Sequence, residues 1–495
     1  MYGRFALSWK RPQSRLSVVL YLIAQRSPIS HLSAQRSIPA QRSQIYSLSY
    51  LYMNELTRKN FIKKSVLGIC GLGITGSLKG ENFVEQQTND TEGGIMEKRI
   101  YNNVRLETGF EYDGDEVIST KTGLFQVEVK DGKISKIMEN NSVSGGFDAN
   151  GYLMLPAFKD MHIHLDKTFY GDHWQARRAR AGGVKAMIAL EQEILPEMLL
   201  HSIEKAGKLI ELLQSKGSSF ARSHVNIEPT CKLDSLNHLK QALNLKKDSF
   251  SAELVAFPQH GLYYTDSVPY MKDAAQAGID FIGGLDPMSI DGGIEKPIDF
   301  TVQLALDNQK GIDIHLHETG ASGIQTIEYL IKKVLENPAL KGKTFLSHCF
   351  ALGRMPQAEQ EAIAEKLAEA QIGIVSTVPF AGLIMPIPTL LTKGVTVMTG
   401  NDSIVDHWDV FGTGSVLQKA NLAAQLYNWS TEFKLSRALK LANVDKLPLD
   451  DKGVQQWPKV GDRADFVLLD VSCSAEAVAR IPEVKHLITK GNLVY

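Results

Sequence analysis

Cysteine is scarce. Only Cys70, Cys231, Cys349 and Cys473 occur in 495 residues, and no two are neighbours. Such scatter excludes both a disulfide framework and a cysteine-built zinc site; Cys349, beside His348, reads as a small buried core residue. Neither sign of charge is in excess, since 54 Lys and Arg meet 55 Asp and Glu and leave a net charge of -1. A nucleic-acid binder would need a basic surplus for backbone phosphates, so that class is set aside. Long apolar runs are missing too, and no stable membrane span is expected. The partners that survive these exclusions are small and roughly neutral; a homo-oligomer is left open.

Acidic residues are absent from the first 54 positions, where Arg and Ser abound and Ala-Gln-Arg-Ser starts at Ala24, Ala34 and Ala40. Residues 1–52 therefore read as a disordered or non-native extension, an organellar transit peptide or sequence upstream of a start at Met53. Thr57-Arg58-Lys59-Asn60-Phe61-Ile62-Lys63-Lys64 then precedes a weakly apolar run from Ser65 to Leu78. It resembles a bacterial twin-arginine export signal with Lys59 in the second arginine's place. Residues 53–97 are thus read as signal and linker, implying export to the periplasm or cell envelope; the alternative is a cytoplasmic protein.

Beyond residue 98 the pattern changes. Leu124-Phe125-Gln126-Val127-Glu128-Val129, Asp131-Gly132 and Lys133-Ile134-Ser135-Lys136-Ile137 form a hairpin signal, alternating residues around a tight turn. Asp465 to Asp470 and His486 to Gly491 read the same way, so 98–157 and 444–495 are expected to build one small β-sandwich domain. Between them, 158–443 alternates apolar runs near 161–166, 220–228, 253–259, 281–286, 312–318, 344–350, 373–379 and 395–401 with amphipathic stretches such as Ile324–Glu336 and Pro356–Ala370. Eight βα units predict an α/β fold, a (β/α)8 TIM-type barrel. An open doubly wound sheet would share this periodicity.

The polar residues favour the barrel. The runs end in His162-Ile163-His164, His224, Gln259-His260, Asp286, His315-Leu316-His317-Glu318, Ser347-His348 and Asn401-Asp402-Ser403. In a barrel these ends all meet at one mouth. Two-residue spacing puts both imidazoles of His162-x-His164 on one strand face. With His315 and Asp402 they make a mixed nitrogen and oxygen set suited to one Zn or Fe ion that turns water into a nucleophile near neutral pH. Glu318 is placed to shuttle protons, and His348 to hydrogen-bond the attacking water or the developing oxyanion. Any one of these histidines alone is as well explained as a structural residue; the ordered set is not. His173, His201, His238, His407 and His486 are given structural or surface roles.

The stretch from Pro156 to Thr168 resembles the first-strand motif of the amidohydrolase superfamily, and Leu165-Asp166-Lys167-Thr168 is similar to its cytosine deaminase-like branch. Ala256-Phe257-Pro258-Gln259, His315-Leu316-His317-Glu318, Ser347-His348 and Gly400-Asn401-Asp402 continue the likeness. It implies His162, His164, His315 and Asp402 as metal ligands, Glu318 as proton shuttle, and His348 as the group positioning water, with Asp402 able to take its proton. Gln259 matches the residue that reads the base's ring edge, and substrate contacts are also expected from His224, Asp286 and Ser403. Ser403 stands where cytosine deaminases carry a second aspartate, and His260 where an acid is usual, which argues against cytosine itself. The expected activity is hydrolytic deamination of an amino-substituted N-heterocycle. The alternatives are an amidase or N-alkylamine hydrolase using the same site, or an exported binding protein without catalysis.

Overall fold

The structure is a computed structural model that describes residues 98–140, 145–177, 181–378, 382–444 and 446–495. The acid-free extension, the Arg-Lys segment and Cys70 lie outside the described residues. Strands β1 (Arg99–Asp113), β2 (Glu116–Lys130) and β3 (Lys133–Glu139) pair antiparallel in succession. The β2–β3 turn is the predicted Asp131-Gly132 pair, with φ of 52° and 70°. Both values are positive, as the common two-residue hairpin turn requires. Short strands β4 (Phe147–Asp148) and β5 (Leu153–Pro156) follow, both running parallel beside β1.

The chain then enters eight parallel strands: β6 (Phe158–Ile163), β7 (Ser218–Asn226), β8 (Ser251–Phe257), β9 (Phe281–Leu285), β10 (Gly311–His315), β11 (Thr344–Ser347), β12 (Ile372–Ser376) and β13 (Val397–Thr399). Each pairs with the next in sequence order. All eight coincide with predicted runs. Helices between them lay an apolar stripe on the outside, as Thr326, Ile327, Leu330, Ile331 and Val334 do in the helix Ala321–Glu336. Both faces of β10 are buried, as expected of a parallel strand under helices.

Ring closure distinguishes a barrel from an open sheet, and here it occurs beside the predicted site. Asp402 donates its N–H to the His162 carbonyl at 2.7 Å, and His164 donates to the Asp402 carbonyl at 3.2 Å. The last strand thus meets the first through the backbones of three predicted ligands. Gly400 permits this approach, because a Cβ there would collide with the His162 backbone nitrogen and oxygen.

After the barrel, β14 (Phe466–Leu469), β15 (Val484–Thr489) and β16 (Asn492–Leu493) return to the first sheet. Its order is β16-β15-β14-β5-β1-β2-β3, with β4 also on β1. Phe466 to Leu469 run antiparallel to Pro156 to Leu153, so chain ends more than 300 residues apart share one hydrogen-bonded sheet. Tyr101, Val104, Val127, Trp457, Phe466 and Leu468 form its core. Hydrogen bonding joins these strands from both ends of the described chain in one eight-stranded sheet. Among the described residues no helix is long and apolar enough to cross a membrane.

A candidate metal centre at the barrel mouth

The barrel interior is polar at two-residue intervals. Asp160 and His162 on β6, Arg222 and His224 on β7, and Asp313 and His315 on β10 are all at most 3% exposed. Side chains of one strand face alternate with this period, so the pairs stack as layers rising towards the strand ends. A barrel core is ordinarily filled with Val, Ile and Leu; ionisable groups here need partners.

His162, His164, His315 and Asp402 have ligand atoms that all lie within 4.8 Å of one another. Asp402 Oδ1 stands 3.3 Å from His162 Nε2 and 3.4 Å from His164 Nε2. His164 Nε2 and His315 Nε2 are 3.4 Å apart. A tetrahedral cation with bonds near 2.0–2.1 Å separates its donors by about 3.3 Å. The cluster therefore has the dimensions of a coordination shell, and the buried His162 Nε2 has no hydrogen-bond partner. Burial lowers His164 to a pKa of about 4 and holds His315 well below its ordinary value, so both are neutral imidazoles at neutral pH. Burial opposes ionisation of Asp402, but the neighbouring imidazoles of His348, His162 and His164 outweigh it and keep the carboxyl well below its usual range.

His162, His224 and Asp313 form a second compact donor set. Arg222 Nη1 sits 3.1 Å from Asp313 Oδ2, so a guanidinium already occupies the place of a cation there. His224 is wholly buried, its ring centre 4.2 Å from that of His162 and 4.4 Å from that of His315. That position lies within the histidine cluster.

Asp286, in the left-handed region with φ 35°, spends its carboxylate on the segment after β10. Oδ1 accepts from the backbone of His317 at 2.6 Å and of Glu318 at 3.2 Å, and Oδ2 lies 2.8 Å from His317 Nδ1. Burial disfavours the charged form of His317, but Asp286 overrides it and the pKa is raised. Glu318 is anchored through Oε1, which accepts from the Ser289 N–H at 2.8 Å, while the buried Oε2 has no partner. His348 Nε2 is 3.9 Å from Asp402 Oδ2, and burial, with His317 alongside, holds its pKa well below normal. His348 and Asp402 both have φ 66°. Such conformations cost on the order of 1–3 kcal/mol each and collect at functional sites.

Gln259 is 5% exposed, and its Oε1 accepts from Lys167 Nζ at 2.5 Å. An ammonium can only donate, so the amide is oriented with Nε2 left as donor. Ser403 is 6% exposed and lies beside the buried Asp406.

Behind Gln259 lies a buried polar hub that no sequence motif announces. Glu191, fully buried, accepts from Lys167 Nζ at 3.2 and 3.3 Å, from Trp408 Nε1 at 2.6 Å and from Asn226 Nδ2, and meets His407 Nε2 at 2.7 Å. His407, read as a bystander, belongs to this hub. Burial pushes Glu191 up, but Lys167 and the other partners bring it well below its usual value, leaving an ion pair with Lys167. One signal was legible. In the helix Gly183–Leu199 the buried stripe runs Met187, Ile188, Glu191, Leu195, Met198, a carboxylate where the period demands an apolar residue.

Glu228 borders this hub and carries a pH prediction. Burial raises its pKa from 4.5 to about 7, with His260 partly opposing. The folded state binds the proton more tightly than the unfolded chain, so this stabilisation is full below about 4.5 and is lost as pH rises through about 7. The shift corresponds to on the order of 3 kcal/mol. Glu228→Gln is expected to flatten that part of the profile, making the variant more stable than wild type above pH 7. Melting curves from pH 4.5 to 8 decide it; parallel profiles would count against the assignment.

A polar barrel with a mouth-centred donor quartet is the architecture of a metal-dependent hydrolase, and comparison with known proteins agrees. Residues 269–495 match the model of the amidohydrolase family. Uncharacterized protein YahJ of Escherichia coli (strain K12) is 50% identical over 398 residues, 79% of this chain and 86% of that protein. N-isopropylammelide isopropyl amidohydrolase of Pseudomonas sp. (strain ADP) is 25% identical over 389 residues, 76% of this chain and 95% of that enzyme. The crystal structure of N-isopropylammelide isopropylaminohydrolase from Burkholderia multivorans superposes with a TM-score of 0.69 at 25% identity, covering 81% of this chain and 98% of that one. The chain belongs to the amidohydrolase superfamily.

Proposed function

We propose that this protein hydrolyses a carbon–nitrogen bond at a ring carbon of an amino-substituted N-heterocycle, releasing the amine. The observation that carries the reading is the donor quartet, spaced at 3.3 to 3.4 Å where the barrel closes, with Glu318 Oε2 left unpartnered beside β10. His162, His164, His315 and Asp402 would hold one divalent cation, Zn or Fe. Bound there, the cation would acidify a water and polarise the substrate.

The chain's own groups do the rest. Glu318 takes the attacking water's first proton at Oε2 and delivers it to the ring nitrogen, then carries a second proton, released by the added hydroxyl as it becomes a carbonyl, to the departing amine. His348 positions the water, and Asp402 Oδ2, 3.9 Å from His348 Nε2, accepts the hydroxyl's proton before it passes to the amine. Gln259, its oxygen held by Lys167, donates from Nε2 to an acceptor on the ring edge. Ser403 presents a neutral hydroxyl where a carboxylate would favour a ring N–H. Asp286 positions His317 and Glu318 from behind, and His224 supports the cluster from within.

Ammonia and an N-alkylamine are both leaving groups this arrangement can protonate. The two N-isopropylammelide hydrolases above favour a reading in which the departing group is an alkylamine. A panel of amino- and N-alkylamino-substituted pyrimidines, triazines and pterins, assayed for released ammonia and alkylamine, separates them. Turnover of simple amides with no release from any ring would replace the proposal by the amidase alternative.

A further inference from the structure

A continuous column of polar groups runs down the barrel axis beneath His162. His162 Nδ1 lies 2.8 Å from Ser347 Oγ, and that hydroxyl donates to Asp313 Oδ1 at 2.6 Å. Asp313 Oδ2 accepts from Arg222 Nη1 at 3.1 Å. Arg222 in turn donates from Nε to Glu253 Oε2 at 2.9 Å. Its guanidinium is wedged between Phe281 and Phe345, 4.0 and 4.2 Å from the ring centres. Ser347 and Asp313 are wholly buried, and Arg222 is 3% exposed.

The direction of each bond follows from its neighbours. Arg222 can only donate, so Asp313 Oδ2 accepts from it, and the carboxylate paired with that guanidinium serves as acceptor at both oxygens. The single Ser347 proton therefore goes to Asp313, in a short charge-assisted bond. Ser347 is left with a lone pair for His162, so the His162 proton resides on Nδ1. Nε2 then has a free lone pair, and it is Nε2 that stands 3.3 Å from Asp402 Oδ1 in the donor quartet. The opposite tautomer would place a proton where a cation must bind.

We propose that Ser347 and Asp313, held from below by Arg222, fix the tautomer and rotation of His162 and so set the metal affinity of the centre. They are positioning residues, and the proposal rests on the metal-centre reading above. Groups that accept the second N–H of a ligating histidine typically change affinity by about 10–100-fold when removed.

The test uses the full chain and two small changes, Ser347→Ala and Asp313→Asn. Zn²⁺ affinity is measured by competition with a chromophoric chelator, and the visible spectrum is recorded after loading with Co²⁺. Circular dichroism and melting of the metal-free proteins check that the barrel is retained. Ser347→Ala is expected to bind Zn²⁺ about 10–100-fold more weakly and to show an altered Co²⁺ spectrum. Asp313→Asn keeps the shape but loses the charge, and a smaller loss in the same direction is expected. Folded variants with wild-type affinity and an unchanged spectrum would overturn the proposal while leaving the metal centre standing. A wild-type protein that takes up no metal would overturn both.

Discussion

Glu318→Gln is expected to retain metal like the wild type while turnover falls by about 10²–10⁴-fold. The substitution keeps the side chain's length and shape, and its remaining oxygen can still accept from the Ser289 N–H that holds Oε1 at 2.8 Å. Asp286 still grips the backbone on either side through its bonds to His317 and Glu318. The change is confined to Oε2, the buried oxygen without a partner, which loses its capacity to accept and return a proton. Glu318 is not in the donor quartet, so metal content should not move. Metal analysis beside steady-state kinetics makes the measurement. Full turnover in a metal-loaded Glu318→Gln protein would remove Glu318 from the mechanism; joint loss of metal and activity would reassign it to holding the site.

Chelation is expected to abolish activity, and about one equivalent of Zn²⁺ or Fe²⁺ to restore it. One equivalent follows from the donor inventory. Among the described residues the second compact set, His162, His224 and Asp313, is already answered by Arg222. The apo protein should remain folded but less stable. It brings neutral imidazoles and an ionised Asp402 together with no cation to share, although backbone bonds between Asp402, His162 and His164 still close the ring. Free metal at about a thousand times its dissociation constant would add about 4 kcal/mol, a shift of several degrees in melting temperature. Elemental analysis and thermal melts with and without metal check both parts. Undiminished turnover at well under a tenth of an equivalent would rule out a metal mechanism, and two tightly held equivalents would mean that Arg222 does not exclude the second ion.

Much of this was legible in the linear chain because parallel strands under helices leave a strong periodic signal. The eight apolar runs mark the eight barrel strands, and Asp131-Gly132 marks a hairpin whose positive φ values few other pairs tolerate. The clustering of His162, His164, His315 and Asp402 was legible for a related reason: strand ends share a mouth, so polar residues at those ends converge whatever their separation in sequence. The Glu191 hub was obscure because its members come from a helix, three strand ends and the loop after β13. No local period links Lys167, Asn226, His407 and Trp408 to one carboxylate, or Gln259 to Lys167.

By itself, then, the sequence determined the order of elements and which polar residues stand at the strand ends, and it pointed to the chemistry proposed for them. These depend on side-chain type and on spacing along one strand, both local quantities. Only the tertiary structure decided which atoms face one another. It turned Asp286 towards His317 and Glu318, set His224 within the cluster, gave the Gln259 amide its direction, and placed Arg222, Asp313 and Ser347 in line under His162. Those pairings are made across the barrel, between strands separated by as many as 185 residues. Barrel closure and strand register set them, and neither is a property of any segment alone.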